Sequence, residues 1–288
     1  MAGMLTKTEF KSNKNNLSFH NTIKTQQALI ADEPATRITK GDRIMAKQRG
    51  HLRGASCLTC QLRQCNEWRV LNEEETRLLA HHRKSRDYRA GESIFSVGEP
   101  SHGVYCIVSG AVAIRKSDAE GNVVPIRISY PGDILGYRSL LLNAHRRYHS
   151  EALSPSRLCF IDKPTVKMLL DHNPALGQQF LQRIANDLSD AHDHLVRNAT
   201  LSNRGKFVHL LLALMNRHGC TATDGSRFME LPLSRRDLAS MIGARHETLS
   251  RIIGRLEEDG LARFSGRTVH LTRPHSLLQE VRQPSPLD

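Results

Sequence analysis

The chain has 288 residues, enough for two domains and a tail, and its hydrophobic content of 39% suits ordinary globular cores. No apolar run is long enough to span a membrane, and the first ten residues lack the apolar stretch of a secretory signal, so we expect a cytoplasmic protein without membrane contact. Lysine and arginine exceed aspartate and glutamate by 41 − 29 = 12. This excess favours a polyanionic partner such as nucleic acid, although a basic solubilising surface would give the same number.

The first predicted segment, residues 1–50, is a polar arm with little hydrophobic periodicity. Ten basic and four acidic residues precede residue 54, a net charge of 10 − 4 = +6. Low hydrophobicity combined with net charge predicts disorder, because such a segment buries too little apolar surface to fold. The arm would add nonspecific contacts with phosphates or would serve only to keep the chain soluble.

Residues 51–173 are predicted to form a cysteine segment followed by a sheet domain. Short runs rich in valine, isoleucine and tyrosine fill residues 88–161, and glycine turns separate them, which predicts an antiparallel barrel or double-sheet roll. Three cysteines precede the roll with the spacing Cys57-x2-Cys60-x4-Cys65. Cysteines of a cytoplasmic protein are reduced thiols, so this spacing indicates metal binding or redox chemistry rather than disulfides. Cys106 lies in an apolar strand and is interpreted as a core residue, whereas Cys220 has no partner in the sequence.

A long helix is predicted over residues 174–202. Its apolar residues recur with the spacing 3, 4, 3, 4, which is typical of the seam of a two-stranded coiled coil and predicts a homodimer. We call these residues the seam: Leu181, Ile184, Leu188, Ala191 and Leu195. A single helix packing on its own sheet domain would be the alternative. Asp187 lies beside the seam in sequence, so we expect its two copies to repel each other and to make the dimer marginal.

Residues 203–276 are predicted to form a winged helix-turn-helix domain, with a tail over residues 277–288. A first helix supports the domain from Lys206 to His218, and Ser234 is a good N-cap for the next one. Residues 242–244 supply a turn whose glycine suits a sharp bend between two helices. The second helix is predicted over residues 246–257, and residues 261–272 read as a two-stranded wing.

The second helix of this motif carries the candidate DNA-reading side chains: Arg245, His246, Glu247, Ser250 and Arg251. Glu247 and Arg251 are four residues apart and project side by side. A glutamate can accept from cytosine N4 and an arginine can donate to guanine O6 and N7, so the two could read one G·C pair. An ordinary surface salt bridge between them is the alternative interpretation.

At this point the chain resembles the CRP/FNR superfamily of bacterial transcription regulators, over residues 56–274. The motifs that carry the resemblance are the turn Pro131-Gly132-Asp133, the long helix, and Glu247-x-x-Ser250-Arg251, a form similar to that of the FNR branch. The resemblance implies an α+β architecture, with an antiparallel β-roll like that of cyclic-nucleotide-binding domains, a coiled-coil dimerisation helix and a winged helix-turn-helix. It also implies that the chain is not an enzyme and that its partners are double-stranded DNA, a second copy of the chain and RNA polymerase.

The FNR-branch form of the motif implies half-sites of the sequence TTGAT in a TTGAT-N4-ATCAA palindrome. Glu247 and Arg251 would read the G·C pair, and Ser250 the T·A pair. His246 is not explained by the resemblance and could adjust the flanking preference. A cyclic nucleotide is a poor fit, because Gly136 is followed by Tyr137 instead of the glutamate that binds ribose. The Arg-Ser pair that binds the cyclic phosphate is likewise missing its serine, since Arg146 is followed by Arg147.

The FNR branch further implies a [4Fe-4S] cluster held by Cys57, Cys60, Cys65 and Cys159, with the second gap one residue shorter than in the best-known members. In that interpretation the cluster ties the segment to the barrel and favours the dimer, and oxygen degrades it. A structural zinc site is the rival use of these thiols. Two further hypotheses are a regulator of the same fold that senses haem, nitric oxide or another ligand, and a cysteine-dependent enzyme. No glycine-rich phosphate loop or catalytic constellation supports the enzyme.

Overall fold

The computed structural model describes residues 56–118, 120–221, 226–272 and 276–277, and the predicted arm of residues 1–50 lies outside them. The described chain begins with three short 3-10 turns, Cys57–Thr59, Gln61–Cys65 and Glu67–Val70. We call residues 57–70 the cysteine segment. Helix α1, Glu73–His82, follows. It begins where Asn72 and Glu75 cap each other's backbone N–H groups, which satisfies two donors that the helix itself leaves unpaired.

Eight strands then form the β-roll. Their bounds are β1 Lys84–Tyr88, β2 Ser93–Phe95, β3 Gly103–Ser109, β4 Val112–Ser117, β5 Val123–Ser129, β6 Ile134–Leu135, β7 His149–Ala152 and β8 Ser156–Asp162. They make two antiparallel sheets of four strands, in the orders β1-β8-β3-β6 and β2-β7-β4-β5. This confirms the predicted antiparallel double-sheet roll.

Strands β3 and β8 are buried on both faces. Since alternate residues point to opposite sides of a sheet, each strand contributes to two apolar clusters. Ile107 and Leu158 lie in the apolar cluster between the two sheets. Val104 and Ile161 lie in a second cluster on the other face, which the cysteine segment and the helices cover. The cysteine segment is therefore part of the hydrophobic core of this domain, with Trp68 almost fully buried.

Three helices complete the N-terminal half: α2 Tyr137–Leu141, α3 Lys163–His172 and α4 Pro174–Thr200. Asn173 caps the N-terminus of α4, and Pro174 fits the first helical position because its missing N–H is not needed there. With 27 residues, α4 is about 40 Å long. The predicted long helix is thus confirmed, and its first turns pack on the cysteine segment through Trp68 and Phe180, whose rings meet edge to face at 5.8 Å.

The C-terminal domain comprises α5 Asn203–His218, β9 Cys220–Thr221, β10 Arg227–Glu230, α6 Arg235–Met241, α7 His246–Glu258, β11 Ala262–Ser265 and β12 Thr268–Leu271. Helix α5 begins three residues before the predicted Lys206 because Ser202 caps it. The wing strands β11 and β12 continue into a four-stranded sheet through β10 and β9. Leu277, assigned to the tail from the sequence, is fully buried in the core of this domain.

The C-terminal domain rests on the β-roll of the same chain. Arg115 of β4 contacts both carboxylate oxygens of Asp237 on α6, through Nη1 at 2.7 Å and Nη2 at 3.3 Å. Its Nε also forms an ion pair with Glu151 at 2.8 Å. The Tyr130 hydroxyl and Nε2 of His218 form a hydrogen bond at 2.9 Å. Asp237 also accepts a hydrogen bond from the hydroxyl of its own N-cap, Ser234, so the cap of the first helix of the motif and the domain contact share one carboxylate.

His209 of α5 makes folding sensitive to pH. Burial lowers its pKa from 6.5 to about 4, and Arg197 and His194 of α4 add to the effect. The unfolded chain then binds more protons than the folded one between these values, so stability is lost as the pH falls from about 6.5 to 4. We expect His209→Gln to flatten the pH dependence of the urea midpoint in this window. An unchanged slope would contradict the assignment to His209.

Candidate functional site

Helix α7 separates a buried stripe from an exposed face. Its buried residues are Leu249, Ile252, Ile253 and Leu256. Gly243 in the preceding turn has φ +66°, a conformation that costs other residues energy, and this turn sets the angle between α6 and α7. The opposite face of α7 is therefore available to a partner.

The predicted reading side chains lie on that exposed face of α7 or at its N-cap: Arg245, His246, Glu247, Ser250 and Arg251. Within the described residues no ion pair joins Glu247 to Arg251, so the structure offers nothing for the salt-bridge alternative. The Ser250 hydroxyl lies 3.4 Å from Nδ1 of His246. That contact links the histidine left unexplained by the sequence to a predicted reading residue.

Further cationic side chains surround this face. Arg235 and Arg236 are exposed in the first turn of α6, and the wing turns at Gly266, where φ is +59°. Arg267, beside that glycine, donates to the carbonyl oxygen of Leu231 at 2.8 Å, which anchors the wing to the loop before α6. Helix N-termini and arginines in this arrangement suit the phosphate backbone on both sides of a groove.

Cys159 occupies a central position in the sheet behind the cysteine segment. It is buried on β8, opposite Ser85 of β1 and Cys106 of β3. Its Sγ lies 3.4 Å from the Ser85 hydroxyl and 3.5 Å from Nη1 of Arg83. A guanidinium group and a hydroxyl therefore flank this sulfur.

The structure brings Cys57 close to Cys159. Burial raises the pKa of the Cys57 thiol to about 11, opposed by the Arg83 guanidinium and reinforced by Cys159 and Cys60. Cys65 stands apart, exposed, with Sγ 3.9 Å from the carbonyl oxygen of Gln61. In the described ranges, no three His, Cys, Asp or Glu side chains stand close enough together to hold a metal ion.

Cys106 is more than the core residue suggested by the sequence. Trp68 Nε1 donates a hydrogen bond to its sulfur at 3.0 Å, which joins the cysteine segment to β3. Burial raises the pKa of Cys106, and the neighbouring Cys159 and Cys57 add to this rise. Cys106 is therefore a neighbour of Cys159 on the adjacent strand and lies within the electrostatic influence of Cys57.

The predicted seam lies on an exposed face of α4. Leu181, Leu188 and Leu195 are 67%, 56% and 64% exposed, and Ile184 is 38% exposed. Ala191 is exposed as well. Such a row of large apolar side chains on one helix is unusual at a solvent-facing surface and is typical of an interface.

The expectation that Asp187 would repel its counterpart across the dimer is wrong. Asp187 is only 7% exposed and points to the β-roll, where it accepts hydrogen bonds from Arg127 at 2.9 Å, Arg138 at 2.7 Å and the Tyr137 hydroxyl. Consecutive residues of a helix are rotated by about 100°, so a residue next to the seam in sequence can face the chain's own domain.

Two comparisons with known families cover this architecture. Residues 85–173 match the cyclic nucleotide-binding domain, and residues 205–280 match the Crp-like helix-turn-helix domain. This combination of domains is that of a CRP/FNR-type transcription regulator. Both domains of a CRP/FNR regulator are therefore present, in the predicted order, and the chain is a DNA-binding transcription regulator of this type.

Individual CRP/FNR proteins are similar over most of the chain. The nitrogen fixation regulation protein FixK of Bradyrhizobium diazoefficiens is 26% identical, covering 75% of this chain and 88% of FixK. The anaerobic regulatory protein of Pasteurella multocida is 22% identical, covering 77% of this chain and 81% of the relative. The structure of FixK2 from Bradyrhizobium japonicum aligns with a TM-score of 0.59 and 26% identity, over 68% of this chain and 96% of FixK2.

Sequence reasoning missed the side chains that connect the cysteine segment to α4. Glu67 and Trp68 follow the last cysteine of the segment, and Arg183 lies on the polar side of α4. The one available signal was the spacing of Arg183 and Asp187, four residues apart on a helix, which places their side chains next to each other. The helices of the described ranges include none long and apolar enough to cross a membrane.

Proposed function

We propose that the protein is a homodimeric, oxygen-responsive regulator that reads a TTGAT-N4-ATCAA-like palindrome and holds a [4Fe-4S] cluster on Cys57, Cys60, Cys65 and Cys159. The observation that carries the proposal is the position of the cysteine segment, which lies between Cys159 and the first turns of α4. A ligand held there would contact the sensor sheet, and the segment itself contacts the helix that carries the seam through Trp68 and Glu67. RNA polymerase is the partner through which such a regulator would act.

The DNA-reading part of the proposal rests on α7. Glu247 and Arg251 project from the same exposed face without forming an ion pair, so both remain available for the edges of a G·C pair. Ser250 lies one residue from Arg251 and would meet the adjacent T·A pair. In a symmetric dimer, two recognition helices about 34 Å apart would enter successive major grooves.

The dimer part of the proposal rests on the seam. Leu181, Leu188 and Leu195 expose more than half of their side-chain surface, and a second copy of α4 would cover all three. Because Asp187 faces the β-roll, its charge does not oppose this pairing. A bias on the dimer would instead have to come through the contacts between α4 and the cysteine segment.

The residues fit an iron-sulfur cluster in donor chemistry. Four thiols are available, and Cys57 and Cys159 lie near each other, with the Arg83 guanidinium beside both. Cys60 and Cys65 would supply the two remaining thiolates from the 3-10 turns of the cysteine segment. When bound, the cluster would supply oxygen-labile iron–thiolate bonds between the segment and β8. The protein's own residues would exclude water through Trp68 and position the thiols.

The β-roll interior supports a sensor other than a cyclic nucleotide. Arg146 is buried there and donates to the carbonyl oxygens of Gly136 and Gly103 at 2.9 and 2.6 Å. Its guanidinium also lies over the ring of Phe95 at 4.5 Å. The guanidinium also packs so closely on Gly136 that a Cβ there would overlap it. Two carbonyl oxygens and an aromatic ring of the protein therefore already contact Arg146, the side chain that a cyclic phosphate would need.

Anaerobic purification tests the cluster. We expect a brown protein with about four iron and four sulfide per protomer, which loses its visible absorbance in air. Cys159→Ser should remove most of the iron, whereas the matched control Cys220→Ser, an exposed cysteine of the other domain, should retain it. A colourless protein with full DNA affinity would refute the sensor. Zinc without sulfide would support the structural-zinc alternative, and bound haem the haem-sensing one.

A further inference from the structure

A partly buried network of charges joins the cysteine segment to α4, and nothing in the reading of DNA or the binding of a cluster requires it. It contains three carboxylates and three guanidinium groups: Glu67, Asp133, Asp187, Arg127, Arg138 and Arg183. Formal charges cancel within it. Such ion pairs favour one arrangement of their members, because a buried charge left without its partner is costly.

Arg183 is the member at the centre. Its Nη1 lies 3.6 Å from Oε1 of Glu67, its Nη2 donates to Asp133 at 3.0 Å, and its Nε lies 3.4 Å from Asp187. One guanidinium thus contacts the cysteine segment, the turn after β5 and its own helix. The planar fork of arginine holds several carboxylates in fixed directions, which a lysine could not do.

Glu67 is the network residue whose ion pair with Arg183 can still shorten or lengthen. Its side chain is buried, yet the pair with Arg183 is longer than a hydrogen bond, and its Oε2 has no hydrogen-bond partner in the described structure. Glu67 lies two residues after Cys65. A shift of the segment that closes or opens this pair by a fraction of an ångström therefore changes the forces on Arg183.

The geometry of α4 transfers such a change to the seam. Arg183 precedes Ile184 and Asp187 precedes Leu188, so both α4 residues of the network are adjacent in sequence to a seam residue and rotated from it by about 100°. Fixing Arg183 and Asp187 against the β-roll fixes the direction in which the seam faces. The apolar contact of Trp68 with Phe180 tolerates sliding and does not specify that direction.

We infer that Arg183 is a positioning residue that couples the cysteine segment to dimerisation, by orienting α4 through Glu67 on one side and Asp187 on the other. The inference rests on the proposed function only in naming the cluster as the group that moves the segment. The coupling between Glu67 and the seam is a property of the chain itself.

The first test compares the dimer dissociation constant before and after cluster loss in air. We expect the wild-type constant to rise by about 10-fold or more, within the usual range of coupling between sites. Arg183→Gln should retain iron and sulfide but reduce this change to about threefold or less. Arg77→Gln is the matched control, since its pair with Glu73 is exposed on α1, and it should behave as wild type. An Arg183→Gln protein with a full cluster and the wild-type change would overturn the inference.

The second test needs no cluster. In cluster-free protein, Glu67→Gln should weaken the dimer by about fivefold when Arg183 is present, and by less than about twofold in the Arg183→Gln background. Additive effects would overturn the coupling, because a merely structural loss at each site adds independently. Thermal midpoints recorded on the same samples show whether a variant is folded. A wild-type protein that never binds a cluster would refute the proposed sensor, while this cycle would still decide the role of Arg183.

Discussion

Replacing Arg251 by alanine should abolish specific binding to a TTGAT-N4-ATCAA duplex while leaving nonspecific binding nearly unchanged. A bidentate contact between arginine and guanine contributes about 1–3 kcal/mol of discrimination. A symmetric dimer makes it twice, so we expect a loss of about 2–6 kcal/mol, or roughly 30-fold to 10⁴-fold in affinity. Fluorescence anisotropy with the palindrome and with a scrambled duplex measures both affinities at one salt concentration.

The matched control for this experiment is Arg255→Ala. Arg255 is exposed on the same helix one turn later, so its removal takes away the same charge. We expect Arg255→Ala to lower the two affinities by similar small factors, as loss of a phosphate contact would. If Arg251→Ala and Arg255→Ala behave alike on both duplexes, Arg251 does not read a base.

Leu188→Asp should dissociate the dimer and thereby abolish binding to the palindrome. Leu188 is 56% exposed in one chain, and burying a leucine side chain contributes about 1.5–3 kcal/mol. Both copies of the residue change, so the loss is about 3–6 kcal/mol, before the two facing carboxylates repel each other. We therefore expect the dimer dissociation constant to rise by at least about 100-fold, measured by analytical ultracentrifugation.

Met168→Asp provides the control for the seam. Met168 is an exposed apolar residue of similar size, on α3 rather than α4. The same change there should leave the dimer intact, because α3 carries no seam residue. A Leu188→Asp protein that dimerises as tightly as wild type would mean that α4 is not the interface.

Elements specified by local signals could be predicted from the sequence. The 3-4 spacing of apolar residues located α4, and Ser234, Gly243 and the wing located the helix-turn-helix motif. The exposure of the reading residues followed from the same periodicity. These features depend on contacts within one turn or one hairpin, so their residues alone determine them.

Features that depend on distant packing could not be predicted. The orientation of Asp187 required the position of Arg127 and Tyr137 in the folded roll, and the sequence alone suggested the opposite face. Cys106 and Cys159 are neighbours because of the register of β3 against β8. The sequence of a strand that is buried on both faces shows no alternation from which this register could be predicted. The role of Arg183 likewise appears only when Glu67 is brought beside it.

Titration of the palindromic duplex with one anaerobic sample, before and after brief exposure to air, tests the central claim most directly. The account predicts tight, sequence-specific binding by brown protein, and a parallel fall in visible absorbance and in specific affinity as oxygen is admitted. Affinity for the scrambled duplex should change little in the same titration. Specific affinity that stays constant while the absorbance disappears, or that is equally high in protein without iron, would contradict it.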